Sequence, residues 1–430
     1  MRELSLDADG HPDLKQIVRR DDMVMWGQAA AEPVALTTAL MTQRRAIGAL
    51  RAFIGATWST LLQTELTDCI SFLSYCGAAG NRVLSKAGML DILPCHYSHI
   101  GAMIGSGKLK IDVLMLQVAP PDHNGRYSLS VACEYLAPAI RTARVIIVEI
   151  NEQAPFTAGP HALSENDIDY CLRTNRPLLQ PPAAKIGETE LAVARHVASL
   201  IEDGATLQYG IGALPEAILA QLGDRRDLGI HSGTIGDQVA VLSEAGVITN
   251  ARKAVDCGVT IGGVMMGSRR IFDFAHNNSK VELRGVDYTH SAAVLAEIDN
   301  LVAINSAVEV DLTGQINAEI AGGVYLGAVG GAIDFLRSAA QSRHGLPIIA
   351  LPSRADKRAD GTAPAGRIVA HLNGPVSTAR SDAGIIVTEH GVADLRGLSL
   401  RERVRKMIAI AHPEEREHLQ HQARALSLLQ

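Results

Sequence analysis

Two short apolar runs, Asp112–Val118 (DVLMLQV) and Arg144–Ile150 (RVIIVEI), constrain the fold of this chain most. Neither alternates apolar with polar positions. A strand with one wet face alternates, whereas an unbroken apolar run marks a strand covered on both faces, the situation of a parallel sheet. Between the runs lies a Pro-Pro-Asp-His-Asn-Gly turn, and then a segment whose pattern predicts a helix near Glu134–Arg141. Strand, crossover and strand in that order describe a βαβ unit.

The same alternation recurs further on. A helix is expected over Glu188–Glu202, where Leu191, Ala194, Val197, Ala198 and Ile201 repeat at helical spacing. Strands are expected at Thr206–Gly210, Asn300–Asn305, Pro347–Leu351 and Gly384–Thr388, with helices at Pro215–Leu222 and Ile333–Ser342. The stretch Arg176-Pro-Leu-Leu-Gln-Pro-Pro182 interrupts regular structure and is the expected boundary between an N-terminal domain, 1–180, and a C-terminal domain, 183–430. Each is expected to be an open, mostly parallel α/β sheet with helices on both faces. The segment Ser399–Gln430, charged, amphipathic and broken at Pro413, is expected to form a terminal helical arm.

Composition narrows the function. The chain has 430 residues, a size for two or three domains, and 47% hydrophobic against 20% charged residues fits a full core. The net charge is −6 with no long basic run, which argues against a nucleic-acid partner. No unbroken apolar window approaches the ~18 residues of a membrane span. Six cysteines without C-x-x-C pairing, behind a polar N-terminus unlike a signal peptide, point to a reducing, cytoplasmic compartment.

Two glycine clusters follow strands and open helices. In Gly210-Ile-Gly-Ala-Leu-Pro215, Gly210 and Gly212 let backbone amides approach a ligand, but proline stands where a dinucleotide fingerprint needs its third glycine. The second cluster, Gly327-Ala-Val-Gly-Gly331, presents Gly327, Val329, Gly330 and Gly331 at a helix start, where amides can hold phosphate or an oxyanion. The first cluster is also readable as a plain strand-to-helix turn, and the second as close helix–sheet packing. Cys95, His96 and His99, with Asp122 and His123 beyond, invite a zinc reading. No clear fourth ligand accompanies them, and no metal is expected.

The run 206–253 contains Gly229-Ile-His-Ser-Gly-Thr-Ile-Gly-Asp237 and resembles the acetyl-CoA hydrolase/transferase family, in which a G-I-H-T-E-x-x-x-D loop carries a glutamate that takes up CoA as a thioester. Further matches are Gly27-Gln-Ala-Ala-Ala-Glu-Pro33, Gln117-Val-Ala-Pro-Pro-Asp-His-Asn-Gly125, Ile304–Gln315, Ile348–Ser353 and Val387–Leu395. The resemblance implies two domains of the CoA-transferase type, a cytoplasmic homodimer, and coenzyme A or acyl-CoA as substrate with no permanently bound cofactor. The partner substrate would be a small carboxylic acid or water. It further implies cleft residues at Gly210, Gly212, His231, Gly233, Asp237, Gly330 and Gly331, with Glu32 and Glu389 at the edge. Departures are specific. Gly233 stands where the family has its glutamate, Ala332 replaces a glutamine, His390 a tyrosine, and His99 and His123 stand where acids are common.

Glycine has no side chain and cannot be a nucleophile. Three readings therefore stay open. Water or a bound acid attacks directly, helped by a base among His231, His99, His123 and Glu32 and by the 327–331 amides. Alternatively, the nucleophile has moved to another acid such as Glu32 or Glu389. Or the chain binds acyl-CoA without turning it over.

Overall fold

In a computed structural model, which describes residues 1–7, 9–182, 186–355 and 365–429, both apolar runs lie inside one sheet. The chain divides into two compact units. The first comprises Met1–Pro182, Ser232–Ala240 and Val259–Ser291; the second comprises Ala183–His231, Val241–Gly258 and Ala292–Gln430. The stretch 183–430 thus lends two segments to the first unit, including the one that carries Gly233.

Within the first unit, among the described residues, eight strands form one sheet: β1 (Arg2–Glu3), β2 (Met23–Trp26), β3 (Leu50–Ile54), β4 (Ile70–Ser74), β5 (Leu90–Ile92), β6 (Val113–Val118), β7 (Val145–Asn151) and β8 (Tyr170–Thr174). Their order is β1-β8-β7-β6-β2-β3-β4-β5, and every pairing is parallel. Strands β6 and β7 pair from Val113↔Val145 to Val118↔Ile150. Successive residues Val113, Leu114, Met115 and Leu116 are all buried, so both faces of the sheet are covered, as their unbroken apolar pattern requires. Val24, Trp26, Leu40, Ile54, Phe72, Met115 and Ile147 belong to the core on one face.

The crossover helix begins later than its pattern suggested, at Leu136 rather than Glu134, and runs to Thr142. Ser130 and Glu134 have φ of 59° and 39°, outside the right-handed helical region, so the chain bends sharply before the helix starts.

The second unit has a sheet in the order Gly229–Ile230, Thr206–Tyr209, Leu301–Asn305, Leu346–Ala350, Ile385–Thr388, Gly391–Asp394. Only the last pairing is antiparallel. The helix expected over Glu188–Glu202 ends at Ala198. Its continuation tightens, with Leu200 N–H donating to Val197 O and Ile201 N–H to Ala198 O, and Gly204 at φ 78° turns the chain into the next strand.

The C-terminal segment forms helices on either side of Pro413 and packs them on the core of its own unit. Helices Leu400–Ile410 and Arg416–Ala425 bury Val404, Met407, Ile408, Leu419 and Ala423 in the same core as Leu301, Ile349 and Ile386. Gln430, the last residue of the expected segment, lies outside the described residues.

Candidate active site

The loop that carries Gly233 belongs to a small β-layer of the first unit. Thr234–Ile235 pairs in parallel with Val264–Met265. Gly233 O accepts from the N–H groups of both Gly263 and Val264 at 3.1 Å. On the other side of that strand, Cys133 N–H donates to Gly263 O at 2.9 Å and Met265 N–H to Val131 O at 2.8 Å. The backbone at 131–134 and the backbone at 233 therefore flank Gly263 on opposite sides. Gly263 cannot carry a side chain here, because a Cβ would lie 2.8 Å from Gly233 O. The same point is 3.8 Å from the Cγ methylene of Glu134, so the side chain of Glu134 packs against this bare α-carbon.

Glu134 is the most perturbed carboxyl of this region, and nothing in the sequence marked it. It is 1% exposed, and burial pushes it up to about 7, against the pull of hydrogen bonds from Tyr97 and Gln28. Both Tyr97 Oη and Gln28 Nε2 donate to Glu134 Oε2. The Gln28 amide is oriented by its other end: Oε1 accepts from Ala56 N–H at 2.9 Å and Tyr75 Oη at 2.8 Å, which leaves only its NH2 to face the carboxylate. Glu134 Oε1 has no protein partner. Around it the rings of Tyr75, Tyr97 and Tyr135 meet edge to face with centroids 5.1–6.2 Å apart. Gly55 admits this packing, since a Cβ there would fall 2.4 Å from Tyr135 Oη and 2.5 Å from Gln28 Oε1.

Glu32 follows the short 3-10 turn Ala29–Ala31 in the same unit. It is 1% exposed, and burial raises its carboxyl above the ordinary range. Ser59 and Thr37 hydroxyls donate to Oε1 at 2.8 and 3.1 Å, while Oε2 has no protein partner. Asp237, in contrast, is engaged structurally. Its oxygens accept from the N–H groups of Ser268 and Ile271 at 3.0–3.2 Å, where the helix Arg269–Ala275 begins. His99 and His123 are exposed; His99 packs edge to face on His96, and His123 lies beside Asn124 in the 119–126 turn. Neither is in the polar network of Glu134. Among the described residues, no cluster of three acids, histidines and cysteines could hold a metal.

The remaining candidates lie in the second unit. His231 is fully buried, with its N–H donating to Leu207 O at 3.1 Å. Gly212, at φ 118°, precedes the helix Ala213–Ala220, and Gly210 follows the strand Thr206–Tyr209. Gly327 packs so closely on Ala318 that a Cβ would lie 1.9 Å from its carbonyl oxygen. Gly330 takes φ 63°, and Gly331 precedes the helix Ala332–Gln341. Val329 is half-buried between them. A cavity of about 490 Å³ beside this loop is lined by Glu309, Gly322, Gly323, Leu326, Arg367 and Asn373 among others. Glu389 accepts from the N–H of Ser353 at 2.8 Å and from its hydroxyl, and His390 Nε2 lies 3.4 Å away. Burial holds that imidazole below its ordinary pKa.

Comparisons with known proteins agree with this architecture. Residues 11–179 match the acetyl-CoA hydrolase/transferase N-terminal domain, and residues 267–423 match the C-terminal domain of the same family. The chain is 37% identical over 410 residues to the 4-hydroxybutyrate coenzyme A transferase of Clostridium kluyveri, covering 94% of each protein. The crystal structure of RipA from Yersinia pestis superposes with a TM-score of 0.90 at 33% identity, over 97% of this chain and 96% of that one. The 4-hydroxybutyrate CoA-transferase of Porphyromonas gingivalis gives 0.78 at 31% identity, over 96% and 95%. The chain belongs to the acetyl-CoA hydrolase/transferase family.

Proposed function

We propose that this protein acts on acyl-CoA thioesters by hydrolysis or by transfer to a carboxylic acid, without a covalent CoA adduct at residue 233. One observation carries the reading. The loop at 233 is built into a hydrogen-bonded layer, with its carbonyl held by two N–H groups, yet presents no side chain at that residue. A thioester held there meets water or a bound acid directly. Coenzyme A is a substrate in this reading, not a resident cofactor. The amides at Gly327–Gly331 are suited to an oxyanion or a phosphate. Relocation of the nucleophile to Glu389 is disfavoured by its hydrogen bonds to Ser353. Glu32, buried with one oxygen unpartnered, is the acid that such a relocation would use. The family relationship also supports a homodimer in the cytoplasm, which light scattering and cell fractionation test.

The absence of a side-chain nucleophile at 233 equally favours a second reading, a homologue that binds acyl-CoA and leaves it intact. Release of free thiol from acetyl-CoA and butyryl-CoA, with and without acetate, separates the two. Turnover supports the first reading, and binding without thiol release supports the second.

A further inference from the structure

The carboxyl of Glu134 is buried and hydrogen-bonded through one oxygen only, and its Cγ lies 3.8 Å from where a Cβ on Gly263 would stand, the glycine whose N–H binds Gly233 O. The carboxylates of Asp237 and Glu389 accept from backbone or hydroxyl donors on both oxygens, whereas Glu32 and Glu415, like Glu134, keep one buried oxygen without a partner. Glu415 is paired with Arg354, while Glu134 lies against Gly263. An oxygen left without a partner in so dry a place is costly, and it persists where a protein uses the group. The backbone at Glu134 is itself bent to φ 39°, a conformation that a non-glycine residue adopts at some expense.

We propose that Glu134 is the general base of thioester hydrolysis in this protein, accepting the proton of a water that attacks the carbonyl carbon beside Gly233. The inference rests on the acyl-CoA reading above and narrows it to hydrolysis. A carboxylate acceptor arrives without a proton to lose, so a base of this kind serves it nothing; water needs one. The water oxygen bonds to the carbonyl carbon while one of its protons passes to Glu134. The tetrahedral adduct then collapses, the C–S bond breaks, and the departing thiolate takes the proton back from Glu134. Free acid and CoA thiol leave, and the carboxylate is restored.

The surroundings suit the role. Gln28, Tyr75, Tyr97, Cys133 and Tyr135 face the carboxyl. The paired segment 284–290 adds Asp287, Arg284, which is bound to Glu282, and His290, whose ring lies 5.2 Å from that of Tyr97. What moves the carboxyl is burial against hydrogen bonds from Tyr97 and Gln28. Burial therefore dominates and sets the group near 7, where a base is both available and strong enough to matter. The two donors on Oε2 fix the carboxyl without occupying Oε1. A nucleophile would have to swing out of this cage carrying first an acyl group and then CoA; a base has only to exchange a proton.

The test uses the full chain with acetyl-CoA, following free thiol from pH 5 to 9, with acetyl-CoA binding measured calorimetrically alongside. Wild-type kcat is expected to rise through about 7 to a plateau. Glu134→Gln is expected to lose kcat by about 100-fold or more, the usual worth of a general base, with little change in KM and no acid limb. Tyr97→Phe removes one donor from the carboxylate and is expected to move the limb to higher pH. That second variant decides the matter if Glu134→Gln does not fold. An active Glu134→Gln with an unchanged limb, or a Tyr97→Phe whose limb stays in place, overturns the role of Glu134 while leaving acyl-CoA hydrolysis intact. A wild-type protein that binds acetyl-CoA and releases no thiol overturns both.

Discussion

At the scale of single residues, the chemistry turns on two positions with opposite histories in the sequence. Gly233 is visible at once, because a glycine inside G-I-H-S-G-T-I-G-D leaves that position with no side chain to act as a nucleophile. Glu134 is invisible, because one acid between Cys133 and Tyr135 looks like any helix-start residue. Its importance arises from tertiary neighbours: Gln28 and Tyr97 from distant segments, and the missing side chain of Gly263. A stability consequence follows from its burial. The folded protein holds this proton up to about 7, whereas an unfolded chain releases it near the ordinary value of 4.5. Wild-type stability therefore falls as pH rises from about 4.5 through 7, by an amount on the order of 3 kcal/mol, and levels off above. Glu134→Gln cannot ionise. Its melting temperature relative to wild type should climb over that window, and a difference that is flat with pH would refute the assignment of a buried, titrating carboxyl. Gly233→Glu places an acid on the loop and should yield a CoA adduct detectable by intact mass in the presence of acetyl-CoA; a variant that folds, binds and forms none would show that the loop does not hold a residue-233 side chain against the thioester.

At the scale of elements, glycines do different work at different turns. At Gly327 a methyl group would meet a carbonyl oxygen at 1.9 Å, so Gly327→Ala must displace backbone and should cost more than about 2 kcal/mol. Gly212→Ala meets nothing within 4 Å but must still adopt φ 118°, so its cost is that of backbone strain, about 1–3 kcal/mol. Urea titrations of the two variants should rank them in that order. The strand β7 ends in a buried ion pair. The Arg176 guanidinium binds Glu149, which is fully buried, and also donates to Glu32 O and Gln117 Oε1 at 2.8 Å. Arg176→Ala leaves that carboxylate without its cation and should destabilise the protein by about 3–5 kcal/mol. A loss under 1 kcal/mol in the same titrations would mean that Glu149 takes up a proton or finds another partner.

At the scale of the whole molecule, the parallel sheets were legible because unbroken apolar runs have few other uses. The strand positions at 113–118, 145–151, 206–209, 301–305, 346–350 and 385–388 follow their hydrophobic pattern within a residue or two. What periodicity could not express is which unit a segment joins. Residues 232–240 and 259–291 follow helices and strands of the second unit in sequence, yet pack with the first through bridges such as Ala132↔Val264, Glu134↔Gly285 and Ala158↔Glu282. Those bridges link residues more than a hundred positions apart, beyond any local signal. The helical, amphipathic C-terminus was legible locally, while the core that receives Val404 and Met407 is assembled from strands far upstream. A fragment ending at Pro182 lacks both returning segments, so it should show no cooperative urea transition, and a sharp two-state transition would mean that they are dispensable. The central claim, thioester chemistry in which no side chain of the protein takes up CoA, is tested most directly by mixing the wild-type protein with acetyl-CoA and recording intact mass and free thiol together. Thiol release from a protein whose mass stays unchanged is the predicted result. A protein carrying CoA in thioester linkage, or one that binds acetyl-CoA and releases no thiol, would contradict it.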